Sequence, residues 1–367
     1  MDYQGRLDKV QARLRRKKLD ALLVTKPENR RYLSGYRGGD HGIEESSGVL
    51  VVPARGKAML LTDSRFLLQA RQEAPGLTVE VYRRGLLSIL PELLADLGVS
   101  QVAFESHYTL HATAARLSSA LTGKKIVAVP LKNLVEPLRM IKDQEEIRAL
   151  RRSVRLNEEV FACVVSDLRR PQSEIDTALA IESEMRRRGA EGPSFSTIVA
   201  SGRNSALPHA IPGAQPLEAT GSLTIDMGLV LDGYCADMTR NLVPGGTPDT
   251  DYLERHRLVR RAQLAGMAAI RPGVRCCDVD RAARQVISRA VYGQFFTHSL
   301  GHGVGLAVHE EPRLSSRSRQ KLQAGMVVTV EPGIYLPEWG GIRLENMVVV
   351  TQEGCDNLNQ DTTWLDI

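Results

Sequence analysis

The sequence predicts an α+β protein of two domains: a smaller mixed α/β domain over residues 1–135 and a larger one over residues 136–367, in which helices precede antiparallel hairpins. Three observations carry that prediction. In the first third, charged amphipathic segments alternate with short apolar runs, the pattern of mixed helices and strands. Around Val135 the stretch VPLKNLVEPLRMIKDQEEIRALRRSV carries two prolines and then opens a long charged helix, which marks a boundary. Beyond it, helices followed by a carboxylate-bearing hairpin occur twice, a loose twofold echo without a solenoid-type repeat. With 367 residues and 43% hydrophobic content, the chain can bury a core in each half.

The elements follow in order. A charged amphipathic segment runs as a helix to about Leu19, and the apolar run at 21–25 is a strand. GVLVVPARGKAMLLTD has the pattern of a hairpin. Further strands are expected at 101–104 and 126–129, with helices near 86–97 and 112–121. In the second domain two helical patterns reach about Gly189, and a loop punctuated at Ser201-Gly202 and Pro208 leads to the first hairpin. Helices at 251–269 and 279–290 precede two strand-rich pieces.

The first hairpin is LTIDMGLVLDGYCADMTR, with Asp232-Gly233 as its turn. Asn-Gly and Asp-Gly between apolar runs are the strongest short hairpin signals, because both turn residues must take positive φ. A two-residue turn fixes the register, so Asp226 lies opposite Thr239 and Asp237 lies two positions along the same face. Diagonal neighbours are about 7–8 Å apart at the backbone, within reach of a shared pair of cations. The second hairpin runs GMVVTVEPGIY, LPEWGG, IRLENMVVV. By the period of two, Glu331, Gly333 and Tyr335 share one face, as do Arg343 and Glu345 on the return. Valine-rich runs beside Glu331 and Glu345 read as fully buried strands, and a carboxylate inside one must be paired, protonated or on a metal. Between the hairpins, THSLGHGVGLAVHE sets His298, His302 and His309 within twelve positions, with glycines on both sides of His302 that let the backbone bend closely around an object. Asp226, Asp237, His302, Glu331 and Glu345 together read as a two-metal hydrolase centre. One imidazole among four carboxylates is a hard, oxygen-rich set that suits Mn²⁺ first, with Co²⁺ or Zn²⁺ as alternatives.

Composition sets the bounds on other functions. No apolar run approaches the ~18 residues of a membrane span, and MDYQGRLDKV has no signal-peptide stretch, so a cytoplasmic protein without membrane contact is expected. Five cysteines without a C-x-x-C are read as reduced thiols. The charge of +5 and the clusters RLRRKK and RALRRSVR lack the aromatic interleaving of a nucleic-acid surface, so no nucleic-acid partner is expected. GHGVG is not followed by the Lys-Ser or Lys-Thr of a phosphate loop. Ser201 and Ser205 lack the G-x-S-x-G setting of a serine nucleophile for His209.

SGRNSALPHA, LTIDMGLVLDGYCADMTR, THSLGHGVGLAVHEEP, VTVEPGIY and GGIRLENMVVV closely resemble the pita-bread metallopeptidase family, in its proline-specific branch of aminopeptidase P and prolidase. The likeness covers the chain from about Met140 onward. It implies a pita-bread catalytic domain with a pseudo-twofold antiparallel sheet after a creatinase-like N-terminal domain, and a homodimer. It implies that Asp226 binds one metal, that Asp237 and Glu345 bridge both, and that His302 and Glu331 bind the other. His209 falls on the family's substrate-contacting histidine, and His298 and His309 on its two further active-site histidines. Methionine aminopeptidases share the five ligands but lack the His298 pattern. The implied reaction is hydrolysis of the bond preceding proline, in a dipeptide or a longer peptide, by a metal-bridging hydroxide with Glu331 as proton shuttle. In that scheme His209 and His309 stabilise the tetrahedral intermediate, while His298, Arg343 and Tyr335 orient the site. Two departures stand out: Gly221-Ser222 replaces the Gly-Asp of many members, and the loop at 35–48 is longer and more acidic than the aminopeptidase P loop, with residues 41–45 expected to reach a partner subunit's cleft. Relatives on the scaffold include creatinase, which works without metal, other small-molecule hydrolases or lyases, and non-catalytic binding modules. The five intact ligands argue against a creatinase and a binding module.

Overall fold

In this computed structural model, residues 1–40, 42–166, 168, 172–361 and 364–366 are described. The chain forms two compact units, Met1–Arg139 and Met140–Ile367. The expected boundary after Val135 falls at the start of a short helix, Glu136–Arg139, that belongs with the first unit. Polar bonds hold it there: Asn29 donates to Glu136 (2.7 Å) and Arg139 donates to Asn29 Oδ1 (2.8 Å).

The first unit is a six-stranded mixed sheet. Its strands are β1 (Ala21–Val24), β2 (Val49–Pro53), β3 (Met59–Thr62), β4 (Thr78–Val81), β5 (Gln101–Glu105) and β6 (Val127–Leu131), in the order β4-β3-β2-β1-β5-β6. β2 and β3 pair as the expected hairpin, and the parallel β1-β5-β6 run needs the crossover helices Leu90–Asp96 and His111–Thr122. β4 and the helices Pro27–Ser34 and Leu67–Glu73 are too short for periodicity to reveal. The base of the acidic loop is tied by the fully buried Arg30, which donates to Gly38 O (2.8 Å), Asp40 Oδ1 (2.9 Å), Ser47 Oγ (2.8 Å) and Gly48 O (2.6 Å). His41 lies outside the described residues, and 42–45 form an exposed turn.

The second unit opens with helices Gln144–Ser166 and Glu174–Arg187, the latter begun by a Ser173–Asp176 capping box. β7 (Gly192–Pro193) and β8 (Ile198–Ser201) precede the first hairpin, made of β9 (Leu223–Met227), β10 (Leu229–Leu231), β11 (Tyr234–Cys235) and β12 (Met238–Leu242). Asp232 (φ 53°) and Gly233 (φ 83°) form its turn, and Asp226 pairs with Thr239 as the turn dictates. The ribbon is not continuous, however, which corrects the expectation that Asp237 lies on a strand face. It breaks at Gly228 and Ala236-Asp237, so β9 and β12 join β8 while β10 and β11 join β7. Ser194 causes the break, its amide bonding Gly228 O (2.9 Å) and its hydroxyl Ala236 O (2.9 Å), and a side chain at Gly228 would collide with Ala236 O. The bend swings Asp237 out of the ladder.

Helices Thr250–Ala269 and Cys276–Arg289 then lead to β13 (Gly301–Gly303), β14 (Glu310–Leu314), β15 (Val327–Val330), β16 (Gly333–Leu336), β17 (Gly340–Arg343), β18 (Asn346–Val350) and β19 (Cys355–Asn357). β15 pairs with β18, and β16 with β17, in one continuing register, yet they lie in two sheets because this hairpin also breaks, at Glu331-Pro332 and Leu344-Glu345. Pro332 has no N–H for the ladder. Around it, the Glu331 amide turns to Leu300 O (2.8 Å) and the Glu345 amide to Thr239 O (3.1 Å) in the first hairpin. β15 and β18 are buried throughout, as expected. Each buried valine is worth about 1.5–3 kcal/mol, enough to hold these strands against the cost of carboxylates at their ends. None of the five cysteines is in a disulfide, and no described helix is long and apolar enough to cross a membrane.

Candidate metal centre

Asp237, Glu331 and Glu345 stand at the hairpin breaks and Asp226 two positions before the first, and all four line one cavity of about 420 Å³. Asp226, Asp237, His302, Glu331 and Glu345 all line it, as do His209, His298, His309, Tyr335 and Arg343, so every residue singled out from the sequence meets here. Ligand atoms of Asp237, His302 and Glu345 lie within 4.8 Å of one another. His302 Nε2 is 3.5 Å from Asp237 Oδ2 and 3.4 Å from Glu331 Oε1.

The donor count at this centre does not balance. His302 Nδ1 lies 3.1 Å from the Gly303 carbonyl, which only accepts, so Nδ1 carries the proton and Nε2 points a lone pair at two carboxylates. Burial, and then the charge of nearby His309, push the His302 pKa down to about 4, so the ring is neutral at pH 7. The buried Oδ1 of Asp226 has no hydrogen-bond partner among the described residues. Burial, and then repulsion from Asp226 and Glu331, raises Asp237 well above the usual carboxylate range, and burial with repulsion from Asp237 does the same to Glu345. Glu331 is pushed up to about 8 by burial, with Arg343 opposing and Asp226 adding to the rise. Acceptors facing acceptors are costly unless protons or cations lie between them. The chemistry of this donor set therefore fits divalent cations, with Asp237, His302 and Glu345 as its tightest cluster and Glu331 and Asp226 beside them.

Beside this centre Arg343, Tyr335 and His298 form a connected chain of hydrogen bonds. Arg343 donates to Asp226 Oδ2 (2.6 Å), Tyr335 Oη (2.8 Å), Thr239 Oγ1 (3.1 Å) and Pro208 O (3.2 Å). Tyr335 in turn donates to His298 Nε2 (2.9 Å), because His298 Nδ1 gives its proton to Ser299 O (2.8 Å). Burial holds Tyr335 protonated, its pKa pushed up to about 12, and takes His298 down to about 4, aided by Arg343. The His309 and His302 rings meet edge to face at 4.3 Å. His209 and His309 are exposed at the cavity mouth.

Three residues were not singled out from the sequence. Thr239 donates to Glu345 Oε2 (2.7 Å) and Thr329 to Glu331 Oε1 (3.0 Å). Both were open to pattern reasoning: Thr239 is opposite Asp226 in the turn-fixed register, and Thr329 lies two positions before Glu331 on one face. Arg313 also lines the cavity, and its guanidinium makes no hydrogen bond or ion pair among the described residues. It lies eleven positions beyond His302, at a distance no local period could have bridged.

Two bent hairpins around a centre of neutral imidazole and clustered carboxylates, in a chain that begins with a separate mixed-sheet domain, define the pita-bread class of metal-dependent hydrolase. Residues 148–352 match the description "Metallopeptidase family M24", and residues 6–141 match "Creatinase/Prolidase N-terminal domain". The chain is 36% identical, over 92% of its own length and 92% of the relative's, to "uncharacterized peptidase YqhT" of Bacillus subtilis. Among solved structures, an Xaa-Pro dipeptidase from Bacillus anthracis is 33% identical with a TM-score of 0.90, covering 98% of each chain. An X-Pro aminopeptidase from Thermotoga maritima is 34% identical with a TM-score of 0.86, covering 95% of this chain and 98% of its own. The chain belongs to metallopeptidase family M24.

Proposed function

We propose that this metallopeptidase is an Xaa-Pro peptidase hydrolysing the bond that precedes proline, and that its preferred substrate is the free dipeptide. The observation that carries the peptidase reading is the unbalanced acceptor cluster, where Asp226, Asp237, His302, Glu331 and Glu345 would hold two divalent cations, Mn²⁺ foremost. When bound, such a pair neutralises the clustered carboxylates, polarises the substrate carbonyl and lowers the pKa of water towards neutrality. The chain's own residues do the rest. Glu331, held at Oε1 by Thr329, takes a proton from the attacking water and returns it to the proline nitrogen, which leaves poorly as an unprotonated amide. His209 and His309, at the mouth, donate to the oxygen of the tetrahedral intermediate. Arg343, Tyr335 and His298 form a fixed chain of donors that orients Asp226 and the cavity wall. A homodimer and a cytoplasmic location complete the proposal; a monomer by light scattering would remove the first, and with it the idea that the acidic loop reaches a partner's cleft.

Arg313 favours the dipeptide. Arg343 spends its guanidinium on protein partners, whereas Arg313 brings an unspent positive charge to the lining, suited to the free carboxylate of a C-terminal proline. Arg313→Met is expected to raise KM for Ala-Pro roughly 10- to 100-fold, the worth of a charge-assisted hydrogen bond, and to leave KM for the amide of Ala-Pro unchanged. Equal effects on both would show that Arg313 does not bind that carboxylate.

The direct test is hydrolysis by the Mn²⁺-loaded protein of Ala-Pro, a longer peptide beginning Ala-Pro, and the same longer peptide with alanine in place of proline. Cleavage of the dipeptide alone supports the proposal, and cleavage of the longer proline peptide moves it to an aminopeptidase. Failure on all three with metal bound points to a small-molecule hydrolase or lyase on this scaffold.

A further inference from the structure

We propose that Lys142 and Glu310, neither of which lines the cavity, form a buried clamp that positions His309 over His302; the inference rests on the role given above to His309 and deepens it. His309 closes a tight connection between β13 and β14, running from Gly303 to Glu310, which pair with each other across a register shift. This loop carries no regular ladder of its own, and one carboxylate packs into its bend. Glu310 Oε1 accepts the Ala307 amide (3.0 Å), and the Gly305 amide bonds Ala307 O (3.0 Å). A side chain at Gly305 would meet both Glu310 oxygens at 2.8 Å, so the carboxylate packs directly against the loop backbone. On the far side the loop is held to the first hairpin, where the Cys235 amide bonds Gly305 O (2.8 Å).

The carboxylate itself is placed by Lys142. The Nζ of Lys142 lies 3.3 Å from Glu310 Oε2, with side-chain exposures of 1% and 8%. Lys142 is in turn rigid, because its amide bonds Gly325 O (2.9 Å) and its neighbour Ile141 bridges to Met326, just before β15. A buried carboxylate facing loop amides keeps its place only while its charge is matched, and breaking such a pair from one side is strongly unfavourable. Without Lys142, Glu310 loses the cation that faces its Oε2, and its hold on the Ala307 amide weakens. His309, adjacent to Glu310, then loses its fixed approach to His302. Displacement of a reacting group by about 1 Å can cost on the order of a hundredfold in rate.

The test compares wild type, Lys142→Met, Lys142→Arg and Glu310→Gln, each Mn²⁺-loaded. Hydrogen exchange of the peptide spanning 303–310 is expected to rise in K142M while the rest of the second unit keeps its protection. Bound metal per chain stays at the wild-type level, and kcat/KM on Ala-Pro falls roughly 10- to 100-fold. K142R is expected to restore both readouts to within about threefold, since it returns the charge. Glu310→Gln keeps an acceptor for Ala307 but not the ion pair, and is expected to fall between. Unchanged exchange and unchanged kcat/KM in folded K142M would overturn the clamp. So would exchange rising evenly across the second unit, which would make the pair merely structural. Should K142M not fold, K142R and E310Q decide by the same exchange readout. If wild type cleaves no Xaa-Pro peptide yet the 303–310 exchange responds as described, the peptidase reading falls and the clamp stands.

Discussion

Glu331→Gln is expected to lower kcat for Ala-Pro by about 10²–10⁴-fold, the usual worth of a positioned general base and acid. The substitution is nearly isosteric, so the bond from Thr329 (3.0 Å) survives and the cavity keeps its shape. What is lost is the ability to hold a proton at the carboxylate between attack and departure. Because Glu331 is also proposed as a metal ligand, 3.4 Å from His302 Nε2, metal content must be measured on the same sample. Full metal content with lost turnover supports the shuttle, while turnover falling in step with metal content reduces Glu331 to a ligand. Retention of most activity would remove it from the mechanism.

Removal of the cations is expected to abolish turnover and to make stability fall as pH rises. In the metal-free protein, burial and mutual repulsion hold Glu331 near 8 rather than 4.5, and raise Asp237 and Glu345 as well. Above about pH 4.5 the unfolded chain has released these protons while the folded chain keeps them. The unfolded state then binds fewer protons, and stability falls as pH rises. The contribution is whole below the unfolded pKa and is lost as pH climbs to about 8, at roughly 1.4 kcal/mol per pH unit for each proton retained. Because the carboxylates titrate as a group, the decline is spread across that window rather than centred on one residue. Cations take the place of those protons, so the Mn²⁺-loaded protein should show no such decline and should be more stable by mass action. Urea unfolding at pH 5, 6.5 and 8, with and without Mn²⁺ after chelation, measures both. Metal-free stability that is flat or rises over this range would contradict the donor accounting of the site.

The sequence by itself determined the two-domain α+β layout, most longer helices and the register of the first hairpin. Each rests on information local to the chain: a 3.6-residue period, or an Asp-Gly turn whose two positive φ angles allow one pairing only. It also singled out the candidate residues that meet at one cavity, because they read together: a turn-fixed carboxylate pair, carboxylates in buried valine-rich strands and a glycine-flanked His302. Tertiary structure alone decided how the hairpins bend. Ser194 breaks the first by bonding across it, and the Glu345 amide leaves its own ladder for Thr239, contacts between residues 42 and 106 positions apart that no period reports. The bends turn diagonal neighbours on a flat ribbon into carboxylates converging on one imidazole. The same limit applies to Arg313, whose guanidinium is unspent in the cavity lining, and to Lys142, 168 positions from the glutamate it faces. Burial and charge balance are properties of the packed chain, so the acceptor excess that calls for cations emerges only when both hairpins are in place.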